Sequence, residues 1–342
     1  MTVFFIGNAI LDVISKIDQS NKINPSHFGK MNLINHKEVA KQYNQLGEKK
    51  IIAGGSANNT AASLSMLGEE VGFIGKIGID DYGEMYQGIL EEYSIKTTNI
   101  VKDKFLGTGM SIILVSPSGE RTMSTYLGAS ICLKKEEIPS KLFNEVEGLF
   151  IEAYLYYLPE GAEIVRDSFH KTKKSGGFNC LSLSDVNCVE KYRNELEDLI
   201  DNKKIDYLFG NMNEMLALTK TKNPSDMLKK LSDHRKKVKA IIITDGSNGS
   251  ILVSKLDIEY VKAVTTKDII DTTGAGDIYV AGFLKGLLNG LELNKCCYLG
   301  SVYASEIIQV MGGKFDKQYQ SKLKNSLDLS YLQHGYGKEV ES

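Results

Sequence analysis

The sequence predicts an α/β fold in which helices cover both faces of a mostly parallel sheet, with a small antiparallel β lid. Short apolar runs alternate with amphipathic segments along most of the 342 residues. The apolar runs are continuous, which is typical of parallel strands buried on both faces. Residues 95–130 depart from this pattern, because two strand-like runs there flank the turn sequence SPSGE.

The elements can be assigned in chain order. We expect a strand at residues 3–7, a helix at 58–67, one strand at 71–78 and a helix at 82–93. Later strands are predicted from GLFIEAY, FNCLSL, DYLFGN and AIIIT. No repeat or Pro-rich linker interrupts this order. The sequence therefore predicts one domain over residues 1–335, with a lid formed by about 9–25 and 95–130.

Composition and charge exclude several classes of protein. A net charge of −2 provides no global attraction for nucleic acid or for an anionic membrane. The chain has five cysteines and no C-x-x-C pair, so neither a disulfide framework nor a zinc site is indicated. No apolar run reaches the roughly 18 residues of a membrane span. We expect a cytoplasmic protein with a small-molecule substrate, as a monomer or a homodimer.

The stretch DTTGAGD, residues 271–277, lies where a helical run begins. Gly274, Ala275 and Gly276 would present backbone N–H groups at the helix N-terminus, where the dipole favours an anion. Asp277 falls in the first turn, where it could remove a proton from an alcohol that attacks a phosphate. An ordinary helix start, in which Asp277 stabilises the dipole, fits the same residues, so both interpretations stay open.

Three further stretches combine loops with polar groups. Gly54 and Gly55 would admit a ligand close to the backbone, and Asn59 offers a donor and an acceptor to sugar hydroxyls. Asn211 and Glu214 fit either a capping box or a pair that orients magnesium-bound waters. The stretch TDGSNGS, residues 244–250, fits either a glycine hairpin or a loop beside a nucleotide.

Two smaller features follow predicted strands. Asn8 and Asp12 come after the first strand, where ligand-binding groups lie in open α/β sheets. Arg121 follows the lid turn and would either reach a phosphate or remain solvated.

The chain lacks a Walker A motif and lacks G-x-G-x-x-G after its first strand, so a nucleotide would have to bind through a different motif. GGSANNTAASLSMLG with VGFIGKIGIDDYG, N-x-x-E, T-x-G-x-x-G and DTTGAGDIYVAGFL instead occur together and in one order. This combination resembles the ribokinase (PfkB) carbohydrate kinase family over essentially the whole chain.

The resemblance implies a ribokinase-like fold and a kinase that uses ATP and Mg²⁺, with K⁺ as an open further cofactor. Asp277 would be the catalytic base. The other implied residues are Gly274, Ala275 and Gly276 in the anion hole, Arg121 at the transferring phosphate, Asn8, Asp12, Gly54, Gly55 and Asn59 at the acceptor, Thr244, Gly246, Gly249, Ala304 and Ile308 around the nucleotide, and Asn211 and Glu214 at Mg²⁺ through water.

Within the family, GNAILDV, GERTMSTYLGAS and LSLSDVNCVEKYR look most like adenosine kinase and its bacterial relatives. A nucleoside needs an apolar shelf for its base, and Ile10, Thr125 and Leu127 are expected to form it. One departure is that Asn187 or Cys188 stands where adenosine kinases usually offer a phenylalanine. We expect transfer to the 5′-hydroxyl of adenosine, giving AMP. The alternatives are a kinase for ribose or a ketohexose, and a catalytically inactive nucleoside- or sugar-binding regulator.

Overall fold

The computed structural model describes residues 2–16, 31–116, 121–266, 269–310, 312, 314, 315 and 319. Contacts between Cα atoms divide the chain into two compact units. The first unit holds residues 3–58 and 72–177, and the second holds residues 59–71 and 178–342. The single domain over residues 1–335 stays a prediction.

The first half of the chain contains ten strands and four α-helices within its described residues. In chain order they are β1 (Thr2–Ile6), β2 (Ile10–Lys16), β3 (Met31–Leu33), α1 (His36–Gln45), β4 (Lys50–Gly54), α2 (Ser56–Met66), β5 (Glu70–Ile74), β6 (Lys76–Gly78), α3 (Asp81–Glu92), β7 (Val101–Asp103), β8 (Gly109–Val115), β9 (Arg121–Tyr126), β10 (Val146–Glu152) and α4 (Gly161–Lys174). In the sheet order β1 lies between β10 and β5, and the rings of Phe5 and Phe150 pack with their centroids 5.3 Å apart.

A separate five-stranded sheet, which we call the lid sheet, has the order β3-β9-β8-β2-β4. The predicted hairpin is present as the antiparallel pair β8–β9, and β2–β4 is also antiparallel. The pairs β2–β8 and β3–β9 are parallel. One face of the sheet packs against α1, where Val13, Val39, Met110 and Ile112 form a buried cluster. The turn at 117–120 and the predicted lid residues 17–25 lie outside the described residues.

The prediction of one strand over residues 71–78 is wrong. The chain leaves β5 at Ile74 and begins β6 at Lys76, which pairs in parallel with β7 in a two-stranded sheet. Gly75 marks the break, because a Cβ atom there would lie 2.7 Å from the Phe73 ring and 3.0 Å from the carbonyl oxygen of Gly7. This close packing requires a residue without a side chain where the chain changes sheets.

The second unit contains five strands and six α-helices in the described residues beyond α4. They are β11 (Phe178–Ser182), α5 (Val186–Lys191), α6 (Arg193–Asp201), β12 (Tyr207–Asn211), α7 (Met212–Thr219), α8 (Pro224–His234), β13 (Ala240–Thr244), β14 (Ser250–Ser254), β15 (Ile258–Val261), α9 (Ala275–Leu288) and α10 (Leu293–Ile307). The strands follow the order β15-β14-β13-β12-β11, with β11, β12 and β13 parallel. Phe283 of α9 packs edge-on against Phe209 of β12, with ring centroids 5.2 Å apart.

The fold class predicted from the sequence is confirmed: the structure has a large, mostly parallel sheet with helices, and a smaller sheet with antiparallel pairs. Within the second unit, β12 and β13 end in register, with Asn211 opposite Thr244. Polar groups of two predicted motifs therefore meet at one edge of this sheet. Among the described residues, none of the helices combines the length and the apolar character needed to cross a membrane.

Candidate active site

The DTTGAGD stretch forms the start of α9, as predicted. Gly274 is the N-cap residue in a left-handed conformation, with φ of 73°, which glycine adopts without strain. Gly276 is exposed, and a Cβ atom there would meet no other atom within 4 Å. The turn is also tied to the chain that follows α10, because Asp271 accepts hydrogen bonds from the backbone N–H groups of Thr273 and Gly312. Open space thus lies beside the N-terminus of α9, and the Asp271 hydrogen bonds hold the preceding turn in place.

Asp277 lies in the first turn of α9 and is half-buried. The side-chain amide of Asn59, in α2, donates a hydrogen bond of 2.9 Å to Asp277 Oδ2. Asn59 therefore orients the carboxylate assigned as base, a role that differs from the sugar contact expected from the sequence.

Asn211 and Glu214 form the capping box of α7. The Glu214 backbone N–H donates to Asn211 Oδ1, while the Asn211 backbone and side-chain N–H groups donate to Glu214 Oε2 and Oε1. Glu214 is 6% exposed. Burial raises the pKa of Glu214, the Asn211 hydrogen bond lowers it, and the charges of Asp185 and Asp277 raise it further. The capping-box interpretation thus describes the observed geometry, and the nearby carboxylates place negative charge around Glu214.

A cavity of about 340 Å³ opens in the second unit beside the start of α9. Its lining includes the five residues that the resemblance assigned to the nucleotide, together with two residues of the anion turn: Thr244, Gly246, Gly249, Ala304, Ile308, Ala275 and Gly276. The structure therefore brings these two predicted groups together around one space.

The backbone conformation around this cavity requires glycine at position 249. Gly249, between β13 and β14, has φ of 95°, and a Cβ atom there would lie 2.1 Å from the carbonyl oxygen of Val261. Residues 246–248 form a short 3₁₀ helix before it. Across the cavity, the carbonyl oxygen of Ile308 accepts backbone hydrogen bonds from Ile270 and Asp271. TDGSNGS is thus a glycine hairpin and also one wall of the cavity.

In the first unit, Asn8 is held by Glu152, a residue outside the predicted site. Glu152, at the end of β10, is 1% exposed. Its Oε1 accepts hydrogen bonds from the Asn8 backbone N–H at 2.8 Å and the Asn8 side chain at 3.2 Å, and its Oε2 accepts from the Ala57 N–H at 2.7 Å. Asn8 Oδ1 is buried without a hydrogen-bond partner among the described residues. Glu152 thus fixes Asn8 with one acceptor oxygen left for a ligand.

The two glycines before α2 are required by close contacts with Asp12 and Asn8. A Cβ atom at Gly54 would lie 2.3 Å from the carboxyl carbon of Asp12. Gly55 has φ of 93°, and a Cβ atom there would lie 2.4 Å from the carbonyl oxygen of Asn8. Gly54 faces Ile10 across the β2–β4 pair, which places this glycine beside the strand that carries Asp12.

Two residues of the expected base shelf, Ile10 and Thr125, lie in the lid sheet, and Leu127 follows β9 directly. Ile10 pairs with Gly109, and a Cβ atom at Gly109 would lie 3.2 Å from the Ile10 side chain and 2.7 Å from the Leu127 carbonyl oxygen. Thr125 is buried, and its hydroxyl hydrogen bonds with Ser111 at 2.8 Å. Leu33 lies opposite Thr125 in register and is 64% exposed. The structure thus adds Leu33 to the face that carries Thr125.

Three other predicted residues, Arg121, Asn187 and Cys188, contribute no described side chain to these groups. The backbone of Arg121 begins β9 opposite Val115, and its side chain lies outside the described residues. Asn187 is exposed at the start of α5, and Cys188 is fully buried beneath it. Cys188 therefore packs in the core and presents no surface to a ligand.

Sequence reasoning missed Glu152, Asp271 and Leu33. Asp271 begins DTTGAGD, and its position before a turn is typical of a side chain that binds backbone N–H groups. Glu152 ends a predicted strand, as ligand-site residues of α/β sheets do, and this position was the available signal. Leu33 carries no local signal, because its importance depends on the pairing of β3 with β9.

The chain is similar to known proteins over most of its length. Residues 28–318 match the family described as pfkB family carbohydrate kinase. The structure of adenosine kinase from Sinorhizobium meliloti superposes with a TM-score of 0.84 and 31% identity, covering 95% of this chain and 99% of that chain. The nucleoside kinase of Methanocaldococcus jannaschii is 25% identical over 261 residues, which cover 76% of this chain and 80% of that protein.

A sugar kinase is also among the relatives. The probable fructokinase-6, chloroplastic, of Arabidopsis thaliana is 27% identical over 249 residues, which are 70% of this chain. The match spans 63% of that relative's length, less than two thirds. The matched family and these relatives identify the chain as a member of the pfkB family of carbohydrate kinases, enzymes that phosphorylate an alcohol group.

Proposed function

We propose that the protein transfers the γ-phosphoryl group of ATP to the 5′-hydroxyl of adenosine and releases AMP and ADP. The observation that carries this proposal is the Asn59–Asp277 hydrogen bond at the start of α9. It holds a carboxylate next to Ala275 and Gly276, which line the cavity. Transfer to an alcohol needs a base beside an anion-binding turn, and this arrangement supplies both.

In the proposed reaction, Asp277 accepts the proton of the acceptor hydroxyl as its oxygen attacks the γ-phosphorus. The new bond joins that oxygen to phosphorus, and the bond between phosphorus and the β–γ bridging oxygen breaks as ADP leaves. The turn formed by Gly274, Ala275 and Gly276 binds the transferring group at the positive end of α9. Arg121 is assigned to the same group from the family resemblance.

The residues around Glu214 fit Mg²⁺ bound through its own water molecules. The described residues contain no group of three His, Cys, Asp or Glu side chains that could hold a metal directly. Glu214 is buried beside the charges of Asp185 and Asp277, which raise its pKa, so a nearby cation would be favoured there. Bound Mg²⁺ would neutralise charge on the phosphates during transfer.

The acceptor is assigned to polar residues and an apolar shelf. Asn8 Oδ1, buried and without a partner in the described part of the chain, is suited to accept from a sugar hydroxyl. Ile10 and Leu127, together with the exposed Leu33, offer apolar area to a base. This surface favours a nucleoside, because a free sugar has no group to cover it.

Two alternatives remain. A kinase for ribose or a ketohexose uses the same polar residues, and the Arabidopsis thaliana fructokinase relative favours it. A regulator that binds a nucleoside or sugar without catalysis is disfavoured by the Asn59–Asp277 pair, because binding alone needs no oriented base.

ADP release by the full-length chain, with Mg²⁺ and with or without K⁺, tests these functions. Adenosine, inosine, ribose, fructose and their phosphates are the acceptors, and Asp277→Asn controls for contaminating activity. We expect kcat/KM for adenosine to exceed that for ribose about 30–150-fold. This factor corresponds to the ~2–3 kcal/mol of free energy gained when the base buries its apolar area. If kcat/KM is higher for ribose or fructose than for adenosine, the acceptor is a sugar and the adenosine assignment is wrong. Thermal protection by adenosine without ADP release from any acceptor indicates the regulator.

A further inference from the structure

Tyr279 lines the cavity beside the start of α9, and the proposed reaction leaves it without a role. The residue is 4% exposed, and its hydroxyl donates a hydrogen bond of 2.7 Å to Oγ of Ser250, which is 2% exposed. Phenylalanine would fill nearly the same volume without a buried polar group, so packing alone does not account for the hydroxyl. The buried Tyr279–Ser250 pair therefore calls for a functional explanation.

The two residues belong to different walls of the cavity. Tyr279 lies in α9, whose first residues, 275–276, line the cavity at the anion turn. Ser250 begins β14 directly after Gly249 and pairs in register with Thr244, so it closes the glycine hairpin. Thr244 and Gly249 line the cavity as well. The hydrogen bond thus joins the hairpin wall to the helix that carries the anion turn.

The Tyr279 ring is held in place from behind by α10. A Cβ atom at Gly300 would lie 3.1 Å from Cδ1 and Cδ2 of the ring, so the glycine lets the ring lie close to this helix. Burial raises the pKa of Tyr279 well above its ordinary value although the Ser250 hydrogen bond opposes the shift, so the phenol keeps its proton. The thiol of Cys297 is a second hydrogen-bond neighbour of the hydroxyl. Tyr279 is therefore a neutral donor on a fixed ring.

ATP in this cavity would contact both walls at once. The anion turn would bind its phosphates, and the hairpin would lie along the rest of the nucleotide. Walls that are already held at the right spacing reduce the conformational freedom that is lost when the nucleotide binds. The spacing also decides whether the transferring phosphate lies beside Asp277, because a small misplacement of a reacting group is costly.

We propose that Tyr279 is a positioning residue for ATP, and that its hydrogen bond to Ser250 holds the hairpin wall and the anion turn at the spacing that the nucleotide requires. The inference rests on the proposed function, because that function places ATP in this cavity. Tyr279 takes no part in the proton or phosphoryl transfer itself.

Tyr279→Phe and Ser250→Ala remove this hydrogen bond from its two sides, and Ser250→Ala leaves Cys297 in place. The Kd for ATP with Mg²⁺ is measured by titration calorimetry without an acceptor. We expect the Kd to rise about three- to tenfold in each variant, the range of one net hydrogen bond. The double variant should bind within about twofold of the single variants, because the two residues form one contact. A loss of folded protein would instead lower the number of binding sites and leave the Kd unchanged.

Tyr303→Phe is the matched control. Tyr303 is also 4% exposed and packs against Gly282 of α9, but it stands outside the described lining of the cavity. Its Kd for ATP should stay within about twofold of the wild type. An unchanged Kd in both test variants, a rise in only one of them, or an equal rise in Tyr303→Phe overturns the proposal.

The outcome for the proposed function is separate. Transfer to a sugar instead of adenosine overturns that function and leaves the calorimetric result valid, because the titration contains no acceptor. If the wild type binds no ATP, the proposed function and the positioning role of Tyr279 are both wrong.

Discussion

Asn59 Nδ2 lies 2.9 Å from Asp277 Oδ2 and donates a hydrogen bond to it, although 218 residues separate the two positions. One side chain belongs to the helix that follows Gly54 and Gly55, and the other lies in the first turn of α9. The contact joins two sequence motifs that the family resemblance treats separately. It also changes the expected effect of substituting Asn59.

Asp277→Asn should fold normally, bind ATP and lose roughly 10²–10⁴-fold in kcat, because the positioned base is removed. Steady-state kinetics and ATP titration measure these effects. Asp81→Asn is the matched control, since Asp81 is an exposed carboxylate in the first turn of α3. If Asp277 only stabilises the dipole of α9, both variants will lose a few tenths of a kcal/mol of stability and keep their kcat.

Asn59→Ala should lower kcat, about tenfold, more than it raises the acceptor KM, because the Asp277 carboxylate loses its orientation. Combined with Asp277→Asn, it should cause little further loss, since the two residues act together. A sugar-binding role for Asn59 predicts the opposite result, in which the acceptor KM rises while kcat is kept.

Glu214→Gln should change the pH dependence of stability. The pKa of Glu214 is raised in the folded protein, so the protonated acid favours folding at low pH and this contribution is lost as pH rises through the folded pKa. Melting temperatures measured upward from pH 4.5 should therefore fall more in the wild type than in the variant. As a magnesium-water organiser, Glu214 also predicts a higher Mg²⁺ requirement in the variant. An unchanged Mg²⁺ titration would leave only the capping role.

Gly249→Ala and Gly276→Ala form a matched pair. Alanine at position 249 must adopt φ near 95° and meets the Val261 carbonyl oxygen, so it should cost about 1–3 kcal/mol or more of stability. Alanine at position 276 enters open space and should leave the melting temperature unchanged, while its methyl group at the anion turn raises the KM for ATP. If Gly276→Ala binds ATP as tightly as the wild type, the assignment of phosphate binding to this turn is wrong.

Leu127→Ala should lower kcat/KM for adenosine and leave any turnover of ribose unchanged, because only a base covers the shelf. Leu33→Ala should act in the same direction, since Leu33 lies exposed opposite Thr125. The lack of a phenylalanine near Asn187 should make the preference for adenosine weaker than in a dedicated adenosine kinase. Equal losses for adenosine and ribose would indicate a general packing defect.

The sequence by itself determined the α/β class, the helix whose first turn holds Asp277, and the glycines of the cavity. These depend on local patterns: continuous apolar runs, helix-start residues, and glycines where the backbone must turn. It did not determine the break at Gly75, because a run of apolar residues and glycines fits one strand or two. The capping box and the magnesium role of Glu214 were both compatible with the same spacing.

Only the tertiary structure decided which distant groups donate hydrogen bonds to each buried or half-buried carboxylate. Asn59 reaches Asp277, Glu152 holds both Asn8 and Ala57, and Asp271 binds Gly312, and in each case no local pattern identifies the distant partner. Hydrogen bonds form wherever folding brings a donor to an acceptor, and sequence separation does not limit them. A local pattern can therefore predict an element and its capping groups, whereas the partners of a buried carboxylate depend on how the whole chain packs.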